Sequence, residues 1–283
     1  MLPDLLGYID DNFSFEEEGK VIWYAPYKCY YPSKQARLLC LWDEIRLPHD
    51  KAKQEYGPTL RIVGFMVDPN LMRILMDDHD RARLIQHIND FMETTPGGTR
   101  RTLREFQQLA GWINWSFNVF PLLRPALSNI YAKISGKSES HAKIFVSKGV
   151  VLDLEWYKEH LESSDGVYLF GDVEWGIQQA DVVAYSDACV SGLGFYFEHL
   201  REGFQCETPV NPPKDTIFFF EALAVTSAVD AATRLSPTPS RLLVYSDNTN
   251  TVDIFHSLRA LPAYNGLLKY TYPNSLTSTF LFV

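Results

Sequence analysis

The sequence Tyr-Ile-Asp-Asp at residues 8–11 places two adjacent carboxylates, Asp10 and Asp11, between two short β-type runs. It predicts a strand, a polar tight turn and a returning strand. A tight turn presents such carboxylates to an adjoining cleft, where they can bind a divalent metal ion. The alternative is that Asp-Asp-Asn serves only as favourable turn chemistry.

Three further carboxylates lie on apolar segments in the last third of the chain. Asp187 and Asp247 each end a run that is typical of a buried strand, and Glu221 lies in the first turn of an alanine-rich helix predicted at 218–233. Carboxylates are ligands for hard divalent cations when the fold brings them together. The alternative is that the aspartates cap turns and that Glu221 lies on a solvated face.

The elements that carry these residues predict an α/β protein whose structure changes along the chain. Residues 1–76 combine short strands with one helix, residues 77–160 are helical, and residues 180–283 alternate strands and helices. The last segment is predicted to follow the order strand, strand, a third strand, helix, strand, helix. In the middle segment, Thr102 and Glu105 form a capping-box pattern at a helix start.

Composition excludes several classes of protein. Apolar residues make up 46% of the chain and aromatic residues 14%, which excludes a wholly disordered chain. No apolar run approaches the roughly 20 residues that span a bilayer, and the start of the sequence does not have the pattern of a secretory signal. The four cysteines lie far apart without metal-binding spacing, which predicts reduced thiols in an intracellular protein.

Charge is unevenly distributed in this chain, whose net charge is −9. Residues 77–152 contain 10 basic residues against 7 acidic ones, whereas residues 153–283 contain 7 against 17. In the basic middle segment, Arg100, Arg101 and Arg104 are predicted to contact nucleic-acid phosphates, with a solvated face as the alternative.

The first segment resembles the C-terminal half of a reverse-transcriptase palm. In that family a Tyr-x-Asp-Asp hairpin is followed by a helix, a lysine-bearing loop and a hairpin of the form Leu-Gly-Phe-x-Val-Asp. Here the same order holds, with a helix predicted at 34–46, then Lys51 and Lys53, then Val-Gly-Phe-Met-Val-Asp at 63–68.

This resemblance implies roles for several residues and extends into the middle segment. It implies that Asp10 and Asp11 are catalytic, that Asp10 is also a metal ligand, and that Lys51 and Lys53 bind the incoming nucleotide. The helical segment, with Pro-Leu-Leu-Arg-Pro at 121–125, resembles the thumb and connection of retroelement polyproteins. Within that group it is similar to DIRS-like elements, which pair the polymerase with a tyrosine recombinase.

The last segment resembles a ribonuclease H domain, through Ser-Asp-Ala at 186–188 and Ser-Asp-Asn-Thr at 246–249. That fold places two aspartates at neighbouring strand ends, opposite a glutamate on the crossing helix. The resemblance therefore implies that Asp187, Glu221 and Asp247 are catalytic metal ligands, with Mg²⁺ or Mn²⁺ as the cofactor in two-metal chemistry.

Two features of these families are missing from the sequence. A reverse-transcriptase palm needs a further aspartate upstream of Tyr8, and a ribonuclease H domain uses a fourth carboxylate well beyond the third. We therefore expect a chain truncated at both ends, which does not extend a primer by itself.

Together, these patterns predict part of a retroelement RNA-directed DNA polymerase with an associated ribonuclease H domain. The predicted partner is an RNA/DNA hybrid or primer-template, without membrane association. Two alternatives stay open: a non-catalytic remnant or co-opted module that binds hybrids, and a stand-alone Asp-Glu-Asp nuclease in which residues 1–160 are a scaffold. The sequence does not indicate an oligomeric state.

Overall fold

The structure of the protein is a computed structural model. It describes residues 5–8, 11–94, 98–164, 166–169, 175–214, 216–235, 237–275 and 279–283. The chain forms two compact units. The first unit contains Met1–Asp77 with Val167–Phe170, and the second contains Asp78–Gly166 with Gly171–Val283.

The prediction of an α/β fold is confirmed. Within the described residues there are eight α-helices: α1 (Ser33–Glu44), α2 (Asp78–Met92), α3 (Leu103–Ser116), α4 (Ser128–Ile134), α5 (Lys148–Ser163), α6 (Ile217–Thr233), α7 (Thr249–Ser257) and α8 (Asn265–Ser275). In the described parts of the chain, no helix is both long enough and apolar enough to cross a membrane.

Short strands account for most of the remaining regular structure. The described strands are β1 (Leu6–Tyr8), β2 (Asp11–Phe13), β3 (Val21–Tyr24), β4 (Cys29–Pro32), β5 (Leu60–Ile62), β6 (Phe65–Asp68), β7 (Arg73–Leu75), β8 (Arg100–Thr102), β9 (Lys143–Phe145), β10 (Val167–Leu169), β11 (Val182–Ala188), β12 (Gly192–Phe197), β13 (Glu202–Glu207), β14 (Arg241–Ser246) and β15 (Thr279–Phe282).

The first unit consists of small antiparallel sheets and the helix α1. β1 pairs with β2, β3 pairs with β4, and a four-stranded sheet has the order β10-β7-β6-β5. Tyr24, Tyr31, Ala36 and Leu39 form a small buried core between α1 and the β3–β4 hairpin. The helix predicted at 34–46 is confirmed as α1.

The structure corrects one predicted strand of this unit. The sequence predicts a single strand with a glycine inside it at 60–67, but Val63 and Gly64 separate β5 from β6. Both residues have positive φ, 49° and 88°, and Ile62 pairs with Phe65 across them. A two-residue hairpin loop of this kind needs positive φ at both positions, and glycine adopts it without strain.

The second unit begins with helices, as predicted. Thr102 caps α3 in a complete capping box, in which its hydroxyl accepts the N–H of Glu105 and its own N–H donates to the Glu105 carboxylate. The apolar face of α3 is buried, with Phe106, Leu109 and Ile113 almost inaccessible to solvent. β8 immediately precedes α3, β9 follows α4, and the two strands pair as an antiparallel ribbon.

The second unit also contains a five-stranded mixed sheet with the order β13-β12-β11-β14-β15. β13, β12 and β11 are antiparallel, whereas β11, β14 and β15 are parallel. The helix α6 packs across β11, β12 and β14. This arrangement of a mixed sheet and a crossing helix is consistent with a ribonuclease-H-like fold.

The core of this sheet depends on small side chains in α6. Ala222, Ala228 and Ala232 are fully buried among strand residues such as Ala184 and Leu242. Alanine at these positions allows the helix axis to lie close to the strands, and burial of the apolar surface stabilises that packing.

Polar contacts join α8 and the segment before it to the helical part of the same unit. Ser128 Oγ donates to the carbonyl of Ala260 at 2.7 Å, and Asn265 Nδ2 donates to the carbonyl of Pro125 at 2.9 Å. The helices and the sheet thus form one compact unit. The division between a thumb or connection and a ribonuclease-H-like domain stays a prediction.

Candidate metal centre

Asp187 and Asp247 lie side by side because β11 and β14 are parallel neighbours. Ser186 and Ser246 are partners in the strand register, and an aspartate follows each of them. Asp187 is the penultimate residue of β11, and Asp247 comes directly after β14. The carboxyl ends of parallel strands meet at the same edge of the sheet, and both carboxylates therefore lie at that edge.

Glu221 reaches the same edge from α6. Thr216 caps this helix by accepting the N–H of Phe219, and the helix then begins at Ile217. Glu221 is therefore the fifth residue of the helix and begins its second turn, where the sequence predicted the first turn. The side chain is only 4% exposed, because α6 packs across the sheet at this point.

The three carboxylates form a close cluster. One oxygen from each of Asp187, Glu221 and Asp247 lies within 4.8 Å of the other two. Both aspartates are exposed to solvent, whereas Glu221 is buried. The cluster therefore has one ligand fixed in the protein interior and two at an open edge.

The environment of Glu221 opposes its ionisation. Burial raises its pKa to about 7, and the charges of Asp247 and Asp187 act in the same direction. A hydrogen bond from the Ala188 backbone has the opposite effect and lowers the pKa. Glu221 Oε2 is buried and has no hydrogen-bond partner in the described protein.

These features fit a divalent cation. An unpaired buried carboxylate oxygen is costly, and a cation satisfies it while neutralising the repulsion among the three groups. Mg²⁺ binds through a few carboxylates and retains several of its waters, which suits one buried ligand and two exposed ones.

Two surface hollows lie among the elements of the second unit that carry the cluster, and Asp187 lines one of them. One, of about 760 Å³, lies over β11, β12 and β13 and is lined by residues that include Asp187, Tyr196 and Glu207. Its floor contains Gly194, at which a Cβ atom would lie 2.7 Å from the carbonyl oxygen of Phe204. Only glycine allows these two strands to approach as they do.

The second hollow, of about 630 Å³, lies between the helices and the sheet of the same unit. Phe218 and Asn250 line it, and each is three residues from a carboxylate of the cluster. Arg124 and Arg259 contribute cationic groups to its wall, and Tyr131 contributes an aromatic ring. Such a combination of cations and rings suits nucleic acid, because cations contact phosphates and rings stack on bases.

The predicted phosphate-binding arginines differ in their surroundings. Arg100 and Arg104 are exposed. Arg101 instead donates to the carbonyl of Asp90 at 2.5 Å and lies over the ring of Phe91, which ties it to the end of α2.

The residues predicted from the palm resemblance belong to the first unit. Tyr8 and Asp11 are partners in the β1–β2 hairpin, and Asp11 is exposed. Asp10 lies outside the described residues. Lys51 and Lys53 are both exposed, and Lys51 Nζ donates to the carbonyl of Tyr27 at 2.9 Å.

Sequence reasoning assigned no role to two serines that adjoin the cluster. Ser186 and Ser246 precede Asp187 and Asp247, and the repeated Ser-Asp pair is the signal that could have identified them. Arg259 had no comparable signal, since only the packing of the unit brings it to the second hollow.

Neither a protein-family model nor a curated protein matches this chain. Solved structures similar to it include the foamy viral protease-reverse transcriptase dRH in complex with double-stranded DNA (14% identity, TM-score 0.39, covering 100% of this chain and 46% of that chain). A second is the foamy viral protease-reverse transcriptase in complex with an RNA/DNA hybrid (15% identity, TM-score 0.37, covering 99% of this chain and 36% of that chain). A third is the foamy viral protease-reverse transcriptase in complex with double-stranded DNA (16% identity, TM-score 0.38, covering 100% of this chain and 55% of that chain). The chain thus spans about a third to a half of those proteins. At these scores the likeness carries no weight for function, which has to be inferred from the chain's own geometry.

Proposed function

We propose that Asp187, Glu221 and Asp247 bind divalent metal and hydrolyse phosphodiester bonds in the RNA strand of an RNA/DNA hybrid. The observation that carries this proposal is the approach of three carboxylates within 4.8 Å of one another around a buried glutamate. The proposed cofactor is Mg²⁺, with Mn²⁺ as a substitute.

Each residue of the cluster has a distinct part in this proposal. Glu221 is the fixed ligand, because burial in α6 holds it in place, and it gives up its proton when metal binds. Asp187 and Asp247 complete the ligand set from the open edge, where substrate has access. Bound metal would stabilise the charge that develops on the attacking and leaving oxygens.

In this proposal, nucleic acid binds along the second hollow, whose lining includes residues of the helices α6 and α7 that adjoin the cluster. Arg124 and Arg259 can neutralise phosphates, and Tyr131 offers a face on which a base can stack. Of the residues that line it, Phe218 belongs to α6, which carries Glu221, and Asn250 belongs to α7, which follows Asp247.

The wider proposal is that this centre belongs to a retroelement reverse transcriptase. Residues 1–76 would form part of its palm, residues 77–160 its thumb or connection, and residues 180–283 its ribonuclease-H-like domain. The order of the sequence motifs and the β1–β2 hairpin support this assignment. Asp10 and Asp11 would then serve the polymerase site, and Lys51 and Lys53 its nucleotide.

A hybrid-cleavage assay tests the proposed nuclease. The full chain is incubated with a labelled RNA/DNA hybrid and Mg²⁺ or Mn²⁺, beside an Asp187→Asn variant. Glu202→Gln is the matched control, because Glu202 is an exposed carboxylate on β13 that is not in the cluster. Because the fourth carboxylate of the family is missing from the sequence, we expect only weak cleavage by the wild type and the control, and its loss in Asp187→Asn.

Two results would redirect the proposal. Metal binding without cleavage, together with retained hybrid binding, would favour a non-catalytic hybrid-binding module. If Asp187→Asn cleaves the hybrid as fast as the wild type and Glu202→Gln do, the activity comes from a contaminant, and the assay gives no support for this centre.

A further inference from the structure

Ser186 makes a side-chain hydrogen bond between the two strands that carry the clustered aspartates. Its side chain is 6% exposed, and its Oγ donates to the carbonyl of Tyr245 on β14 at 3.1 Å. The bond lies one residue before Asp187 on β11 and two residues before Asp247. It therefore joins β11 and β14 directly before the two aspartates.

On the opposite face of the sheet, a second pair of side chains joins β11 and β14 close to the same position. Successive side chains of a strand point to opposite faces. Tyr185 and Tyr245 are partners in the strand register, and their rings stack with centroids 5.1 Å apart and planes inclined by 11°. Side chains thus join β11 and β14 on both faces immediately before the cluster.

The turn that carries Asp247 is held by local hydrogen bonds. The hydroxyl of Ser246 accepts the N–H of Asn248 at 3.4 Å, and Asn248 Oδ1 in turn accepts the N–H of Thr251 at the start of α7. Asp247 therefore lies in a turn that is fixed on its far side by the helix cap. On its near side, the hydroxyl of Ser186 spans the two strands, in addition to the tyrosine stack and the backbone ladder.

We propose that Ser186 is a positioning residue, which sets the spacing of Asp187 and Asp247 so that they bind one metal ion together with Glu221. This inference rests on the proposed metal centre. Three carboxylates repel one another in the absence of metal. A hydrogen bond between the strands opposes the separation of their ends and so keeps the ligand set preformed.

The expected effect is on metal affinity rather than on folding. Residues that orient metal ligands typically change affinity by about 10- to 100-fold when they are removed. Ser186→Ala removes the hydroxyl and leaves the backbone ladder and the tyrosine stack in place. Ser186→Thr keeps the hydroxyl, and its branched side chain suits a strand.

Ser227 offers a matched control. Its hydroxyl also donates to a backbone carbonyl, that of Leu223 at 2.8 Å, in α6 of the same unit. It lies six residues beyond Glu221 along the helix, and Ser227→Ala therefore removes a similar bond away from the cluster.

The test is a Mn²⁺ titration of the full chain, followed by electron paramagnetic resonance of the free ion, with thermal unfolding of each variant. We expect Ser186→Ala to bind Mn²⁺ about tenfold more weakly at a similar unfolding temperature. Ser186→Thr should restore most of the affinity, and Ser227→Ala should bind like the wild type.

Three outcomes separate this inference from the proposal on which it rests. If the wild type and Asp187→Asn bind equally weakly, the metal centre itself fails. If Asp187→Asn loses affinity while Ser186→Ala binds like the wild type, only the role of Ser186 is overturned. If Ser186→Ala does not fold, Ser186→Cys, which has a similar size and a weaker donor, takes its place, and unchanged affinity would again overturn the inference.

Discussion

At the scale of single residues, Glu221 connects the fold to the proposed chemistry. Its carboxylate is buried by the packing of α6, and two neighbouring carboxylates raise its pKa further, to about 7. A divalent cation reverses this effect by supplying opposite charge. The same residue should therefore be unfavourable for stability without metal and a strong ligand with it.

The raised pKa of Glu221 predicts how the stability of the metal-free protein depends on pH. A carboxyl group whose pKa is higher in the folded state than its ordinary value of 4.5 binds its proton more tightly when the protein is folded. The metal-free protein should therefore lose stability as pH rises from the ordinary value towards the folded one. The loss is at most about 3 kcal/mol.

Urea unfolding in the presence of a chelator, at about pH 5 and about pH 8, measures this loss. Glu221→Gln cannot ionise at this position, so its stability should change less between the two pH values. Glu202→Gln is the control and should keep the pH dependence of the wild type. An identical pH dependence in Glu221→Gln and the wild type would show that Glu221 is not perturbed.

At the scale of elements, the close approach of β12 and β13 supports the strand that carries Asp187. Gly194 pairs with Asp187 on one side and with Gln205 on the other. A Cβ atom at Gly194 would lie 2.7 Å from a backbone carbonyl oxygen, which has no freedom to move aside without distorting the ladder.

Gly194→Ala should therefore lower the free energy of unfolding by about 1–3 kcal/mol, as overpacking does. Gly203→Ala is a matched substitution on the facing strand, where the nearest atom to the new Cβ, in the ring of Tyr196, is at an ordinary distance of 3.7 Å. Chemical denaturation of both variants checks this difference. Equal losses would mean that general strand propensity, rather than the contact at Gly194, decides the effect.

Local patterns predicted most strands of the five-stranded sheet and most helices beside it, but the strand β15 and the helix α8 were missed. The strands and helices around Asp187, Glu221 and Asp247 have long apolar patterns, which local sequence reveals. β15 is a four-residue run whose strand character comes from pairing with β14. α8 includes Pro273, which argues against a helix from sequence alone.

The candidate site was predictable only in part, because a local pattern does not show how distant elements pack. Strand-end aspartates are visible in the sequence, because a strand and the residue after it are local features. The unpaired oxygen of Glu221 and the position of Arg259 depend on how distant elements pack. No local pattern contains that information.

At the scale of the whole molecule, a largely buried ion pair within the second unit joins α5 to α8, a helix that packs against α6. Asp153 of α5 is paired with Lys269 of α8 and accepts hydrogen bonds from the backbone and side chain of Asn129 at 3.1 and 2.9 Å. Removing one partner of a buried pair leaves the other charge without compensation.

Asp153→Asn should therefore cost about 3–5 kcal/mol of stability, and the helices and the sheet of this unit should unfold together. Asp230→Asn removes a carboxylate whose partner, Arg234, is exposed, keeps an oxygen that can accept the hydroxyl of Tyr270, and should cost no more than about 1 kcal/mol. Circular dichroism and tryptophan fluorescence measured during urea unfolding check both expectations. A small effect of Asp153→Asn would show that the pair does not couple these elements.

The basic middle segment predicts salt-dependent binding of hybrid. Arg100 and Arg104 are exposed, so replacing both by Ala should lower the slope of log affinity against log salt by up to about 2. Arg101→Ala is the comparison, because the contact of Arg101 with the carbonyl of Asp90 predicts a loss of stability more than of slope. Fluorescence anisotropy at several salt concentrations measures both, and an unchanged slope in the double variant would place these arginines on a solvated face.

The most direct test of the proposed centre is a calorimetric titration of the full chain with Mg²⁺, beside Asp187→Asn and Glu202→Gln. The proposal predicts that the wild type and Glu202→Gln bind with the same affinity and that Asp187→Asn binds at least about tenfold more weakly. Equally weak binding by all three proteins would contradict it, because the three carboxylates would then not form a metal site.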